Sequence, residues 1–274
     1  MKELVRIVAS GRFRGVWAIC LLLAAVVAGI GQDRVKPKVR AEVGSVYVGE
    51  ASKPTNSVPA RSLPAYRVPE GPAQEVNPKR TKPKRKVLDI DLPNQIDPLL
   101  IRQLEAPEAA PNAFTTPILN FNGIGFTNVN PPDTVGDVGP NHYVQAVNAS
   151  GGTAIQVFNK STGSTIGPQF SLDGLGTAQC AGGLGDPIIL YDHAADRWLL
   201  SEFSSSGNRL CVYISQTADP TGAYFAYNFQ APSFPDYPKY GVWPDAYYVS
   251  SNESSSAVYA LDRAKMLLGQ AATF

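Results

Sequence analysis

Three aspartates, each flanked by proline or glycine, recur along the C-terminal part of the sequence. They are Asp133 in PPDTVGDVGPNHYVQAVN (131–148), Asp186 in LGDPIILYDHAADRWLLSEF (184–203) and Asp236 in FPDYPKYGVWPDAYYVSSN (234–252), spaced by 53 and 50 residues. Carboxylates brought together have three uses. Two can serve as general acid and base in cleaving a glycosidic bond, one of them with a raised pKa. Three can gather a hard cation such as Ca²⁺, which takes oxygen ligands. Each can instead cap a turn, accepting backbone N–H groups where the chain changes direction. The residues alone leave all three roles open; no cofactor is required, and calcium is the one they admit. Asp137 in GDVG and Asp245 in WPDAY read as turn residues.

Other chemistry is sparse. His142 and His193 are the only histidines, each in a polar corner, and no G-x-S-x-G elbow accompanies them. The glycine-rich GTAQCAGGLGD (176–186) lacks the lysine and following helix of a phosphate loop. Its glycines suit a tight backbone approach around Cys180. Cys180 and Cys211 form an even pair once Cys20 is assigned to the N-terminal apolar run. In an oxidising compartment they predict a disulfide closing a loop of about 30 residues, worth roughly 3–4 kcal/mol in the chain-entropy model. Trp198, Trp243 and the tyrosines offer either inter-sheet packing or stacking platforms for sugar rings.

The elements that must position these residues are strands. HYVQAVN, TAIQVFN, PIILYD, RWLLSEF, RLCVYIS, YFAYNF, AYYVSS and AVYALD are short runs rich in aromatic and β-branched residues. Turn sequences KSTG (160–163), SSGN (205–208) and DPTG (219–222) punctuate them. After each aspartate the chain enters a strand at an aromatic, Tyr143, Trp198 or Tyr247, and a second strand follows. A unit of about fifty residues with four short strands predicts an all-β fold of β-propeller type, with about three blades in this chain. The aspartate-bearing segments are then the innermost strands, lining a channel, and the aromatics pack between neighbouring sheets.

The N-terminal part has a different texture. Residues 1–113 hold 18 lysines and arginines against 11 acids, whereas residues 114–274 hold 6 against 12. MKELVRIVASGRFRG followed by the uncharged VWAICLLLAAVVAGIG, with Gly29 and Gly31 before Gln32, predicts a signal peptide or transmembrane signal anchor over 1–31. Residues 32–113 are proline-rich and basic, with too little apolar surface to offset ordering, and predict a disordered spacer. Within it, PKRTKPKRK (78–86) reads as a solvated stalk or a contact with anionic envelope polymers rather than a nucleic-acid site. NQIDPLLIRQLE (94–105) has the spacing of one short helix. The blades then occupy 114–274.

The phrases PPDTVGDVGPNHYVQAVN, GDPIILYDHAADRWLLSEF and FPDYPKYGVWPDAYYVSSN resemble exported bacterial proteins with sialidase-like or related β-propellers. The resemblance covers roughly 116–274 and implies secretion and a propeller with one binding face. The arginine triad, tyrosine nucleophile and Asp-box repeats of sialidases have no counterpart in this sequence. Residues and resemblance together predict a secreted or envelope-anchored, extracytoplasmic interaction module. Its expected partner is a polysaccharide or a surface protein, not nucleic acid, with membrane contact only through the N-terminal segment. The alternative is an extracellular glycoside hydrolase or lyase using Asp133, Asp186 and Asp236, with calcium bound or not.

Overall fold

The computed structural model describes residues 48–75 and 117–274. The signal segment, the basic stretch 78–86 and the helix expected over 94–105 lie outside the described residues. Among the described residues no helix is long and apolar enough to cross a membrane.

The fold is predominantly β. Sheet 1 runs β4 (Val135–Val138), β5 (His142–Ala149), β6 (Gly152–Asn159) and β7 (Phe170–Ser171). Sheet 2 runs β8 (Gly183–Asp192), β9 (Arg197–Ser204), β10 (Arg209–Ser215) and β11 (Tyr224–Gln230). Sheet 3 runs β12 (Asp236–Val242), β13 (Tyr247–Asn252) and β14 (Ser256–Leu261), and a short helix α1 (Arg263–Leu267) follows. Every neighbouring pair in these sheets is antiparallel, so each sheet is a meander whose first strand carries the aspartate segment. The eight runs predicted as strands are β5, β6, β8, β9, β10, β11, β13 and β14. The three predicted turn sequences fall between β6 and β7, β9 and β10, and β10 and β11.

The sheets pack face to face in chain order. Alternation along a strand sends successive side chains to opposite faces, and sheet 2 uses both. Leu200, Cys211 and Tyr213 meet Val144, Ala146, Ile155 and Val157 of sheet 1. Leu199, Leu210, Val212 and Ile214 meet Tyr247, Val249 and Leu261 of sheet 3. Trp198 and Tyr247 are each buried in the core shared with the preceding sheet. Tyr143, their counterpart in sheet 1, packs on Phe158 and on Phe121 from the upstream segment. The edge strand β8 of sheet 2 contacts both β4 and β12.

Residues 48–75 correct part of the spacer expectation. This stretch lies inside 32–113, yet it is laid along the outer edges of the sheets. β1 (Thr55–Asn56) pairs with β11 and extends sheet 2. The Ala60 N–H donates to Gly222 O at 2.9 Å, and the Tyr66 N–H to Gln169 O at 2.7 Å. β2 (Gln74–Glu75) pairs in parallel with β3 (Val129–Asn130). Composition misleads here because prolines are compatible with an extended edge, where only some backbone donors need partners. The few apolar side chains suffice when they enter an existing core: Ala60 is buried and Leu63 packs against the sheet 1–sheet 2 cluster. The strap also covers the outer edge of sheet 2, which would otherwise present unpaired backbone groups.

The predicted disulfide is present. Cys180, in a 3-10 turn at Ala178–Ala181, joins Cys211 in β10 with 5.6 Å between Cα atoms. The glycine-rich approach has its expected use at Gly176, where a Cβ would stand 1.8 Å from Cys180 O.

Candidate functional site

Strand register defines which residues are equivalent in the three sheets. Val138 pairs with Tyr143, Tyr191 with Trp198 and Val242 with Tyr247. Counting back five residues from Val138, Tyr191 and Val242 reaches Asp133, Asp186 and Tyr237. All three hold left-handed backbone, with φ of 38°, 49° and 54°. Non-glycine residues rarely adopt this conformation, so the shared strain marks one recurring strand entrance. Asp236, expected as the third equivalent, is one residue out of register; the position belongs to Tyr237. The aspartates' spacing in the sequence hid this because Asp236 and Tyr237 are neighbours.

These entrances come together in a depression of about 240 Å³ lined by Asp133, Thr134, Val135, Asp186, Pro187, Tyr237 and Lys239. Sheets 1, 2 and 3 each contribute. The keystone is Asn148, a fully buried side chain on β5. Its Nδ2 donates to Asp133 Oδ2 at 2.8 Å and to Pro131 O at 2.9 Å. Its Oδ1 accepts the Asp186 N–H at 2.9 Å. One amide therefore ties the first entrance to the second. Gly185 is required beside it: its φ is +96°, and a Cβ there would stand 2.3 Å from Asn148 Oδ1.

The carboxyl groups of Asp133 and Asp186 lie close enough to interact directly. Burial pushes Asp186 up to about 7, helped by that hydrogen bond and by repulsion from Asp133 and Asp236, while Lys239 pulls it down. Asp236 therefore acts on the site through its charge. Like charges this close resist double ionisation, so Asp186 holds its proton above the ordinary aspartate range. The sign of the pH dependence follows. The folded chain retains this proton between about pH 4 and 7, where an unfolded aspartate has lost it, so the pair's contribution to stability falls as the pH rises through that window.

Lys239 and Tyr237 complete the depression. The Tyr237 ring is 55% exposed, and the Lys239 ammonium sits 3.6 Å from its centroid. Lys239 Nζ also donates to Pro238 O at 3.2 Å. The site thus offers a carboxyl–carboxylate pair, an ammonium and an open aromatic face. Among the described residues no group of three or more His, Cys, Asp or Glu side chains is arranged to hold a metal.

The remaining sequence candidates divide. Asp137, read as a turn residue, lies within β4 and reaches the next sheet: its Oδ2 accepts the Tyr191 N–H at 2.7 Å. Asp245 accepts the Tyr248 hydroxyl at 2.9 Å. His193 stands edge-on to Tyr191. Trp198 is buried, whereas Trp243 is exposed at a groove of about 220 Å³ at the far ends of β8 and β12. Sequence reading missed Asn148, Tyr237 and Lys239. The first had a usable signal, an amide at a strand position otherwise apolar. The other two become visible only with the register.

Comparison with protein-family models, with curated proteins and with solved structures finds no match to this chain.

Proposed function

We propose that this chain is an exported, envelope-associated β-propeller module whose strand entrances form a polysaccharide-binding site. The observation that carries the reading is the convergence of register-equivalent Asp133, Asp186 and Tyr237, one from each of three sheets, on one depression. Meander sheets stacked in chain order with adjacent innermost strands are what consecutive blades require. Sheet 3 leaves the face turned away from sheet 2 open, with Val258 on β14 74% exposed, and stacked blades cover such faces. Export is supported by the Cys180–Cys211 disulfide, since such bonds persist in oxidising compartments.

The ligand class follows from the chemistry of the lining. A protonated Asp186 beside a second carboxyl can donate and accept, as hydroxyl groups demand, and an exposed tyrosine face stacks on the apolar face of a sugar ring. Lysine adds a donor for ring or carboxylate oxygens.

A hydrolase or lyase is the second reading, favoured by an Asp186 that titrates near neutral pH. The two-carboxylate glycosidase form of that reading fits poorly. Its acid and its base or nucleophile flank the bond at roughly 5–9.5 Å, whereas Asp133 and Asp186 interact at close range.

The test is binding of the full-length protein to a panel of envelope and capsular polysaccharides, with product analysis of the same samples. Tyr237→Ala is expected to weaken binding about tenfold, a loss of about 1.4 kcal/mol, without product forming in any sample. Chain shortening that disappears in Asp186→Asn would establish the enzyme instead. Binding indifferent to both substitutions would remove the depression from function.

A further inference from the structure

Beneath sheets 1 and 2 lies a second acidic pair that the entrance site does not use. Glu202 projects from β9 and is 1% exposed. Neither of its carboxyl oxygens makes a hydrogen bond of regular geometry, and the same holds for the buried Thr153 hydroxyl on β6; that hydroxyl, the Asp173 carboxyl and the Gly185 N–H are its polar neighbours. Asp173, in the 3-10 turn Leu172–Leu175, completes the group. Its Oδ1 accepts the Gly183 N–H at 2.6 Å, which leaves its second oxygen near Gly151.

The backbone is shaped to admit these carboxyls. A Cβ at Gly183 would stand 2.1 Å from Glu202 Oε2, and one at Gly152 would stand 2.7 Å from the same atom and 3.2 Å from Asp173 Oδ1. Gly152 also holds φ of +123°. Two glycines from different sheets thus clear space for a buried acid that has no cationic side chain as partner among the described residues. Burial first, and then repulsion from Asp173, pushes Glu202 well above the usual carboxylate range.

We propose that Asp173, Glu202 and the Thr153 hydroxyl form a binding site for a calcium-type divalent cation between the first two sheets. The donor set is oxygen only, which suits a hard cation. Charge balance decides between a metal and a proton. A proton on Glu202 leaves the half-buried Asp173 charged beside it, while one divalent ion neutralises both. A cavity of about 170 Å³ lies over Gly151, Gly152 and Gly183, the glycines that border these carboxyls, with Glu75 on its wall. Backbone carbonyls and water entering there would supply the remaining ligands that such an ion takes. The site is distinct from the entrance aspartates but adjoins them, since Gly185 stands between Glu202 and Asp186. A bound ion would therefore stiffen the second entrance from below.

The experiment uses the full chain at pH 7.5, stripped with a chelator and titrated with Ca²⁺. The readouts are thermal unfolding and terbium luminescence sensitised by Tyr213, whose hydroxyl feels both Glu202 and Asp173. The proposal expects a saturable rise in unfolding temperature of about five degrees or more, and terbium emission that Ca²⁺ quenches by competition. The isosteric Glu202→Gln should abolish both, and Asp186→Asn should leave both in place. No response to millimolar Ca²⁺, with Glu202→Gln unfolding at or above the wild-type temperature, would overturn it and make Glu202 a neutral structural acid. A response lost in Asp186→Asn but kept in Glu202→Gln would also overturn it, by moving the ion to the strand entrances.

Discussion

Replacing Arg263 with alanine should destabilise the folded unit by about 3–5 kcal/mol, because it removes one partner of a buried charge pair. Arg263, the first residue of α1, donates from Nε to Asp192 Oδ2 at 2.7 Å and from its terminal nitrogen to Asp192 Oδ1 at 2.9 Å. The Asp192 side chain is 1% exposed. It ends β8, and the same carboxylate accepts the Tyr247 hydroxyl at 2.8 Å and the Ala194 and Ala195 N–H groups at 3.1 Å. Sheet 2, sheet 3 and the helix thus meet on one carboxylate. Burial pushes Asp192 up, but its hydrogen bonds to Arg263, Tyr247 and Ala195 outweigh this and hold it below the ordinary value. The stabilisation is therefore present above about pH 4 and lost as the pH falls through the depressed folded value. Urea unfolding of the single variants and of Asp192→Asn/Arg263→Ala checks this. The double variant should be much less unstable than the two single losses added, since it leaves no unpaired charge. A loss under about 0.5 kcal/mol in Arg263→Ala would show that the pair is not a joint between sheets.

Removing the disulfide should have a comparable effect. Cys180 and Cys211 are separated by 31 residues, and closing a loop of that length restricts the unfolded chain by roughly 3–4 kcal/mol. Both cysteines are buried, so Cys211→Ser adds a hydroxyl to an apolar environment, whereas Cys211→Ala isolates the cross-link. Unfolding of Cys180→Ala/Cys211→Ala, compared with the oxidised and reduced wild type, is the measurement. Reduced wild type and the double alanine variant should lose stability together. Unchanged stability on reduction would show that the cross-link contributes nothing net, contrary to this account.

The fold was legible where local pattern and tertiary role agree. HYVQAVN and RLCVYIS alternate or run apolar because β5 and β10 are buried on one or both faces. The turn sequences and the cysteine pair were equally plain. Residues 48–75 were not, because their order comes from the edges they lie on rather than from their own composition. Leu63 and Ala60 look too few to hold a segment until the core they enter is known. The site was half legible. Asp133 and Asp186 announced themselves by repetition, but the third position required the β12–β13 register, which assigns it to Tyr237. Asp173 and Glu202 gave no signal, since a glutamate in the run RWLLSEF reads as an exposed strand residue. Its burial depends on glycines in other strands, 19 and 50 residues away.

The central claim is that separate sheets bring their entrances to one place. Its most direct test is the titration of the Asp186 carboxyl carbon by nuclear magnetic resonance in the wild type and in Asp133→Asn. The account predicts a midpoint near 7 in the wild type and a clear fall toward the ordinary aspartate range in the variant, where the paired carboxyl from sheet 1 is gone. An Asp186 that titrates as an ordinary aspartate in both proteins would contradict it.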